Sequence, residues 1–193
     1  MSRSADWIDT RGFAVERVRS LEYRPAEGGG WKIQRPTEAG PWQLDGAKGG
    51  EKLDQSKANG VASALSQASV ADVATPDLTP ANTGLDRPAT LTATTFDGLD
   101  YTVSVGKSID QNYYAQVAIA GELVKSRTPE AGEKPEEAAK KDKAFADRTK
   151  MLQERLPREK ALAGRVLLLS KYMVEGAMKP RADLFETSSA GKK

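Results

Sequence analysis

Apolar and polar positions alternate with period two through the first third of the chain. Val15 to Tyr23 is rich in β-branched and aromatic residues and stops at Arg24-Pro25. Trp31-Lys32-Ile33-Gln34 and Trp42-Gln43-Leu44 each place every second side chain on one face, as half-buried strands do. The glycine run Gly28-Gly29-Gly30 and the loop from Pro36 to Pro41 separate these segments, so the pattern predicts a meander of three antiparallel strands. Beyond it the period lengthens. Asp54 is a suitable N-cap, and Ala58, Val61, Ala62, Leu65, Ala68 and Ser69 follow helical spacing, giving a narrow stripe of small residues suited to lying on a sheet. A short strand from Val70 to Ala74 follows. Residues 75–88 read as a loop because Pro76, Pro80, Gly84 and Pro88 punctuate them.

The next signal is a hairpin. Thr90 to Phe96 and Leu99 to Val105 flank Asp97-Gly98, a dipeptide suited to a turn that needs positive φ. A two-residue loop pairs Phe96 with Leu99, Thr94 with Tyr101 and Thr92 with Val103, and puts those residues on the core face. Gly106 is expected to end the second strand, and Tyr113 to Ile119 forms the next. Residues 125–137 are polar and carry Pro129, Gly132 and Pro135. A long charged helix starts near Pro135, with Glu136/Lys140 and Glu137/Lys141 as i, i+4 pairs and Phe145, Leu152 and Leu156 as an apolar seam. Pro157 is expected to break it and begin a second short helix. Arg165 to Ser170 reads as a buried strand and Val174 to Lys179 as a short helix. The reading is an α+β fold: antiparallel sheets, one helix after the first meander, and a long charged helix before the last strand. It divides into an N-terminal module over 1–75, a C-terminal module over 76–185 packed on it, and a disordered tail over 186–193.

Composition changes this picture mainly by exclusion. The 193 residues include no His and no Cys, which removes an imidazole base, a thiol nucleophile, disulfides and the usual zinc ligand sets. Leu, Ile, Val and Phe make up only about 18% of the chain, but a net charge of +2 argues against wholesale disorder. The 29 basic residues nearly balance 27 acidic ones, and no basic stripe with interleaved aromatics suggests nucleic acid. The longest run of Leu, Ile and Val is Val166-Leu167-Leu168-Leu169, so this chain is expected to insert no segment into a membrane.

Candidate chemistry is sparse. Val105-Gly106-Lys107-Ser108 resembles the end of a phosphate loop, but Tyr101 stands where that loop needs its first glycine. The stretch from Gly46 to Lys52 is glycine-rich without matching that pattern. Asp97, Asp100 and Asp110 form the densest acidic group and would suit acid/base work if they converged. Trp7, Trp31 and Trp42 could line an aromatic surface, although the alternation around Trp31 and Trp42 favours packing. Tyr113-Tyr114 puts one ring on each face of a strand, which makes them the candidate interface residues. No catalytic, cofactor-binding or metal-ligating set emerges.

The ordered features resemble a bacterial family known as domain of unknown function 4340. The resemblance runs through Trp31-Lys32-Ile33-Gln34-Arg35-Pro36, Trp42-Gln43-Leu44, Leu53-Asp54 and Ala71-Asp72-Val73. It continues through Thr83-Gly84-Leu85-Asp86-Arg87-Pro88, which matches the family's Gly-Leu-x-x-Pro element. Thr95-Phe96-Asp97-Gly98, Tyr101 to Gly106 and the closing Leu167 to Leu184 stretch complete it. The resemblance implies a non-catalytic, extracytoplasmic interaction or accessory domain, a soluble portion of a membrane-anchored envelope protein. Some family members are encoded beside gliding-type ABC transporter components, so an envelope or membrane protein is the expected partner. The alternative is a carbohydrate or small-ligand binding protein, or a hydrolase working through Asp97, Asp100 and Asp110. Neither reading fixes an oligomeric state.

Overall fold

A computed structural model of the chain describes residues 12–186. Trp7 and residues 187–193 of the expected tail therefore lie outside the described residues; Glu186 is held by an ion pair to Lys52 at 2.9 Å. The strands are β1 (Val18–Arg24), β2 (Trp31–Gln34), β3 (Gln43–Leu44), β4 (Val70–Val73), β5 (Ala89–Thr95), β6 (Leu99–Ile109), β7 (Asn112–Gly121) and β8 (Leu167–Ser170). They form one eight-stranded sheet in the order β3-β2-β1-β5-β6-β7-β8-β4, and every pairing is antiparallel. The helices are α1 (Gln55–Ser63), α2 (Pro80–Thr83), α3 (Pro135–Lys160) and α4 (Lys171–Ala177), followed by a 3₁₀ turn at Arg181–Leu184. The fold is α+β, with the long helix before the last strand.

Alternation along each strand decides where the core sits. Leu21, Ile33, Leu91, Ala93, Tyr101, Val103, Val117, Leu167 and Leu169 point to one face and are buried. The helices supply Ala58, Val61, Leu156, Met173, Val174 and Ala177 to the same core, and the 3₁₀ turn supplies Leu184. The opposite face carries Ser20, Glu22, Thr90, Thr92, Thr94, Asp100, Thr102, Ser104 and Gln116, none of them fully buried. The helices thus cover one side of the sheet, and its other side is open to water, an arrangement that antiparallel sheets tolerate.

The β5–β6 hairpin differs from its sequence expectation by one residue. The observed pairs are Thr94 with Asp100, Ala93 with Tyr101, Thr92 with Thr102 and Leu91 with Val103. Phe96 lies in the loop with Asp97 and Gly98, and Gly98 takes φ +87°. Thr95 stabilises this three-residue turn, accepting from Leu99 N at 3.1 Å and donating to Leu99 O at 3.0 Å. Because side chains alternate, a one-residue slip exchanges the faces of β5. Leu91, Ala93 and Thr95 therefore enter the core, and Thr92 and Thr94 turn outward.

Other departures have local causes. Pro157 does not break the long helix, which runs on to Lys160. The N–H it lacks would have bonded the Gln153 carbonyl, and both residues are exposed, so water can serve that carbonyl while the helix continues. Lys141 turns away from Glu137 and pairs with Glu130 at 2.8 Å and Glu133 at 3.1 Å. Four residues of the expected 75–88 loop form α2, whose N-cap Thr79 is locked by a reciprocal capping box with Asn82. Gly106 does not end β6: the strand passes a bulge between Val105 and Ser108 and reaches Ile109.

That bulge explains part of the Gly-Leu-x-x-Pro element. Gly84 ends α2 in the left-handed conformation, φ +75°. The turn then lies directly on β6, and a Cβ on Gly106 would stand 2.1 Å from Thr83 O. Gly106→Ala should therefore destabilise the protein by about 1–3 kcal/mol in urea unfolding, through overpacking against backbone. Gly29→Ala, with open space around it, should be nearly neutral by the same measurement.

Candidate functional site

The three aspartates do not form a site. Asp100 stands at the start of β6 and Asp110 just past its end, on the order of 30 Å apart for a strand of that length. Asp97 is 4% exposed and is occupied by two arginines. Arg148 grips both of its oxygens, with Nε 3.0 Å from each and Nη2 at 2.6 Å, while Arg17 Nη1 donates at 2.6 Å. Among the described residues, no group of three or more Asp or Glu side chains is placed to hold a metal ion.

The long charged helix α3 is anchored by an ion network. On α3, Lys141, Arg148 and Arg155 recur at heptad spacing beside the row Ala138, Phe145, Leu152 and Glu159. That double row, apolar and basic together, was the available signal; the apolar seam alone hid it. Arg155 Nη1 reaches Glu16 at 2.9 Å, and Arg148 Nη2 also approaches Glu16, at 3.4 Å. Glu159 is 1% exposed. It accepts from Ala14 N at 3.1 Å and Tyr101 Oη at 3.1 Å, with Arg155 Nε 2.9 Å away. Burial, opposed by Arg155, holds the Glu159 carboxyl above the usual range. Burial works against the Arg155 charge, but Glu16 and Glu159 outweigh it and raise its pKa. Arg17 joins the network with a left-handed backbone, φ +50°, a conformation that costs a non-glycine residue about 1–2 kcal/mol.

The glycine-rich segments have internal partners. Lys107 Nζ donates to Ala81 O at 2.7 Å, so Gly106-Lys107 ties α2 down rather than cradling a phosphate. In the 46–52 loop, Glu51 accepts from Lys48 N at 2.7 Å and pairs with Arg181 at 2.6 Å. Those contacts, the backbone donor first, hold its carboxyl below the usual range. Trp31 and Trp42 are packed: Trp31 Nε1 donates to Lys179 O at 2.7 Å and Trp42 Nε1 to Asn59 Oδ1 at 2.8 Å.

A groove of about 850 Å³ lies between α1, α4 and the 3₁₀ turn. Gly60, Ser63 and Ala64 form its α1 wall, Met173 and Gly176 its α4 wall, and Tyr172 lies at its rim with 90% of its surface exposed. Tyr172 went unnoticed in the sequence because it falls between the expected strand end and the expected helix start. Of the two candidate interface tyrosines, Tyr113 packs partly against the core and donates to Glu175 at 3.3 Å. Tyr114 lies on the other face opposite Leu168.

The class defined by this architecture is a one-sided α+β sandwich, with an antiparallel sheet, helices on one face and an arginine-anchored long helix. The model of the family described as Domain of unknown function (DUF4340) matches residues 2–88. Over those residues the chain carries the signature of the family that its motifs resemble. The match spans β1 to β4, α1 and α2 and closes at Pro88, just before β5. No curated protein and no solved structure gives a match.

Two predictions follow from the ion network. Asp97→Ala leaves Arg148 and Arg17 without their shared partner and should cost about 3–5 kcal/mol in denaturant unfolding. Asp100→Ala, on the open face, should cost within about 0.5 kcal/mol. Burial, reinforced by the Glu159 charge, raises the Tyr101 phenol well above the ordinary tyrosine value. The folded state therefore holds that proton more tightly than the unfolded state. The resulting stability is present below pH ~10 and is lost as pH rises toward the folded value. Unfolding free energies measured above pH 10 should fall more steeply for the native protein than for Tyr101→Phe.

Proposed function

We propose that the chain is a non-catalytic interaction domain acting outside the cytoplasm in a bacterial envelope assembly, as an accessory to a gliding-type transporter. The observation that carries this reading is the α1–α4 groove with Tyr172 exposed at its rim. A tyrosine with an apolar ring and a polar tip is a favoured anchor in protein interfaces. Val61, Ala64, Met173 and Leu184 offer apolar lining for a partner segment, and Gly60 and Gly176 let it approach closely. The chemistry of the acidic residues supports the same reading, since Asp97 and Glu159 are committed to holding α3. The envelope setting draws its support from the DUF4340 match. Among the described residues no helix is long and apolar enough to cross a membrane, so in this reading an anchor elsewhere or a membrane-protein partner holds the domain in place.

The test is photo-crosslinking in the native host, with a photoreactive residue in place of Tyr172 in the full-length protein. The expected product is an adduct with a membrane-embedded envelope protein, recovered from the extracytoplasmic side and lost when Ala64→Trp fills the groove. Adducts with cytosolic proteins alone, or none, would overturn the reading.

A further inference from the structure

On the open face of the sheet, away from the α1–α4 groove, the register sets four polar side chains abreast. Ser20 on β1 pairs with Gln34 on β2 and with Thr94 on β5, and Gln34 pairs with Gln43 on β3. Their Cβ positions form one row across four neighbouring strands, about 14 Å long at the usual strand spacing. Two are carboxamides and two are hydroxyls, so each member can both donate and accept hydrogen bonds. The next residue along the row is Asp100, opposite Thr94.

A cation stands beside this row. The β1–β5 register shifts between Val18 and Ser20, which makes Arg19 the bulged residue, and bulges commonly re-aim a side chain. Arg19 is exposed and enters no ion pair with the described residues. Arg35 is fixed next to it. Its guanidinium lies 4.5 Å from the Trp42 ring centroid and 5.8 Å from that of Phe96, with Nε donating to Val18 O and Nη1 to Glu38 O. Glu38, the nearby carboxylate, is itself taken by Arg17 at 2.9 Å. Arg19, Arg35, Ser20, Gln34, Gln43 and Thr94 line a concavity of about 390 Å³, within the range of small-molecule sites.

We propose that this concavity binds a hydroxyl-rich ligand bearing a single anionic group, such as an acidic sugar unit. Arg19 takes the anion, which a planar guanidinium can hold through two parallel bonds. The amide and hydroxyl row takes the ring hydroxyls, and Asp100 at the far end accepts from a hydroxyl while repelling a second anion. The ligand is thereby oriented with its charge toward β1. The site is separate from the groove and stands or falls independently of the protein-interaction reading.

The experiment is an NMR titration of the intact chain with glucuronate, glucose 6-phosphate, glucose and inorganic phosphate. Glucuronate or glucose 6-phosphate should shift the resonances of Arg19, Gln34 and Thr94 saturably, and which of them binds more tightly identifies a carboxylate or a phosphate as the anion. Glucose and inorganic phosphate should each bind at least about tenfold more weakly than the better acidic sugar, because each lacks half of the contacts. Arg19→Ala should weaken that ligand about tenfold with the fold intact, Arg19→Lys less so, and Tyr172→Ala not at all. The proposal is overturned if no sugar acid shifts these resonances, if inorganic phosphate binds as tightly as either acidic sugar, or if Arg19→Ala binds as tightly as the native chain.

Discussion

Asp97 carries the attachment of α3 to the rest of the molecule. It sits in the turn of the central hairpin, so the guanidinium of Arg148 ties the helix to the sheet where β5 becomes β6. From that point the charges alternate outward, through Arg17 to Glu38 on one side and through Arg148, Glu16, Arg155 and Glu159 on the other. Asp97 and Glu16 each share their charge between two arginines, which suits a network better than isolated surface pairs worth little individually. A helix with two buried apolar side chains, Leu152 and Leu156, has little else to fix its register. Glu159 sets its far end by holding Ala14 and Tyr101 together. The segment before β1, the sheet and the helix are therefore one mechanical unit, and the left-handed backbone at Arg17 is strain tolerated for that purpose.

One-sidedness follows from the same economy. With all the apolar faces of the helices directed to one side of the sheet, the outer side keeps Thr, Ser and Gln, which favour strands through their shape and still satisfy water. The groove between α1 and α4 arises because those helices meet through small side chains: a Cβ on Gly176 would lie 3.6 Å from the Cβ of Ala64. The two faces are thus chemically distinct, one partly apolar, the other polar and hydrogen-bonding.

Most of the fold was legible where periodicity was strong. The meander, the start of the Asp54-capped helix, the long helix and the last strand lie where alternation and helical spacing put them, but that first helix stops at Ser63, and Leu65 and Ala68 of its expected stripe lie in a turn and in a bridge to Phe13. The hairpin register was not, because Asp97-Gly98 fits either a two-residue or a three-residue turn. The Thr95 side chain, bonded to both backbone groups of Leu99, selects the longer one. The site was less legible. The aspartates cluster along the sequence, but an extended strand separates Asp100 from Asp110 instead of folding them together. The arginine row escaped notice because charged residues at heptad spacing look like a solvated face until buried carboxylates oppose them. Arg19 could be identified only through a bulge that no local residue pattern announces.

The strand order has a consequence for how the chain is made. Both edges of the sheet, β3 and β4, come from the amino-terminal part of the chain, while the centre is contributed later. β3 finds its neighbour at once in the preceding strand. β4 pairs only with β8, so on the ribosome it waits for roughly a hundred further residues, on the order of 5–20 s of synthesis. During that interval Val70 and its neighbours form an open hydrogen-bonding edge, the kind of surface that invites foreign strands. The outward-facing Asp72, directly in that strand, puts a charge where such pairing would begin.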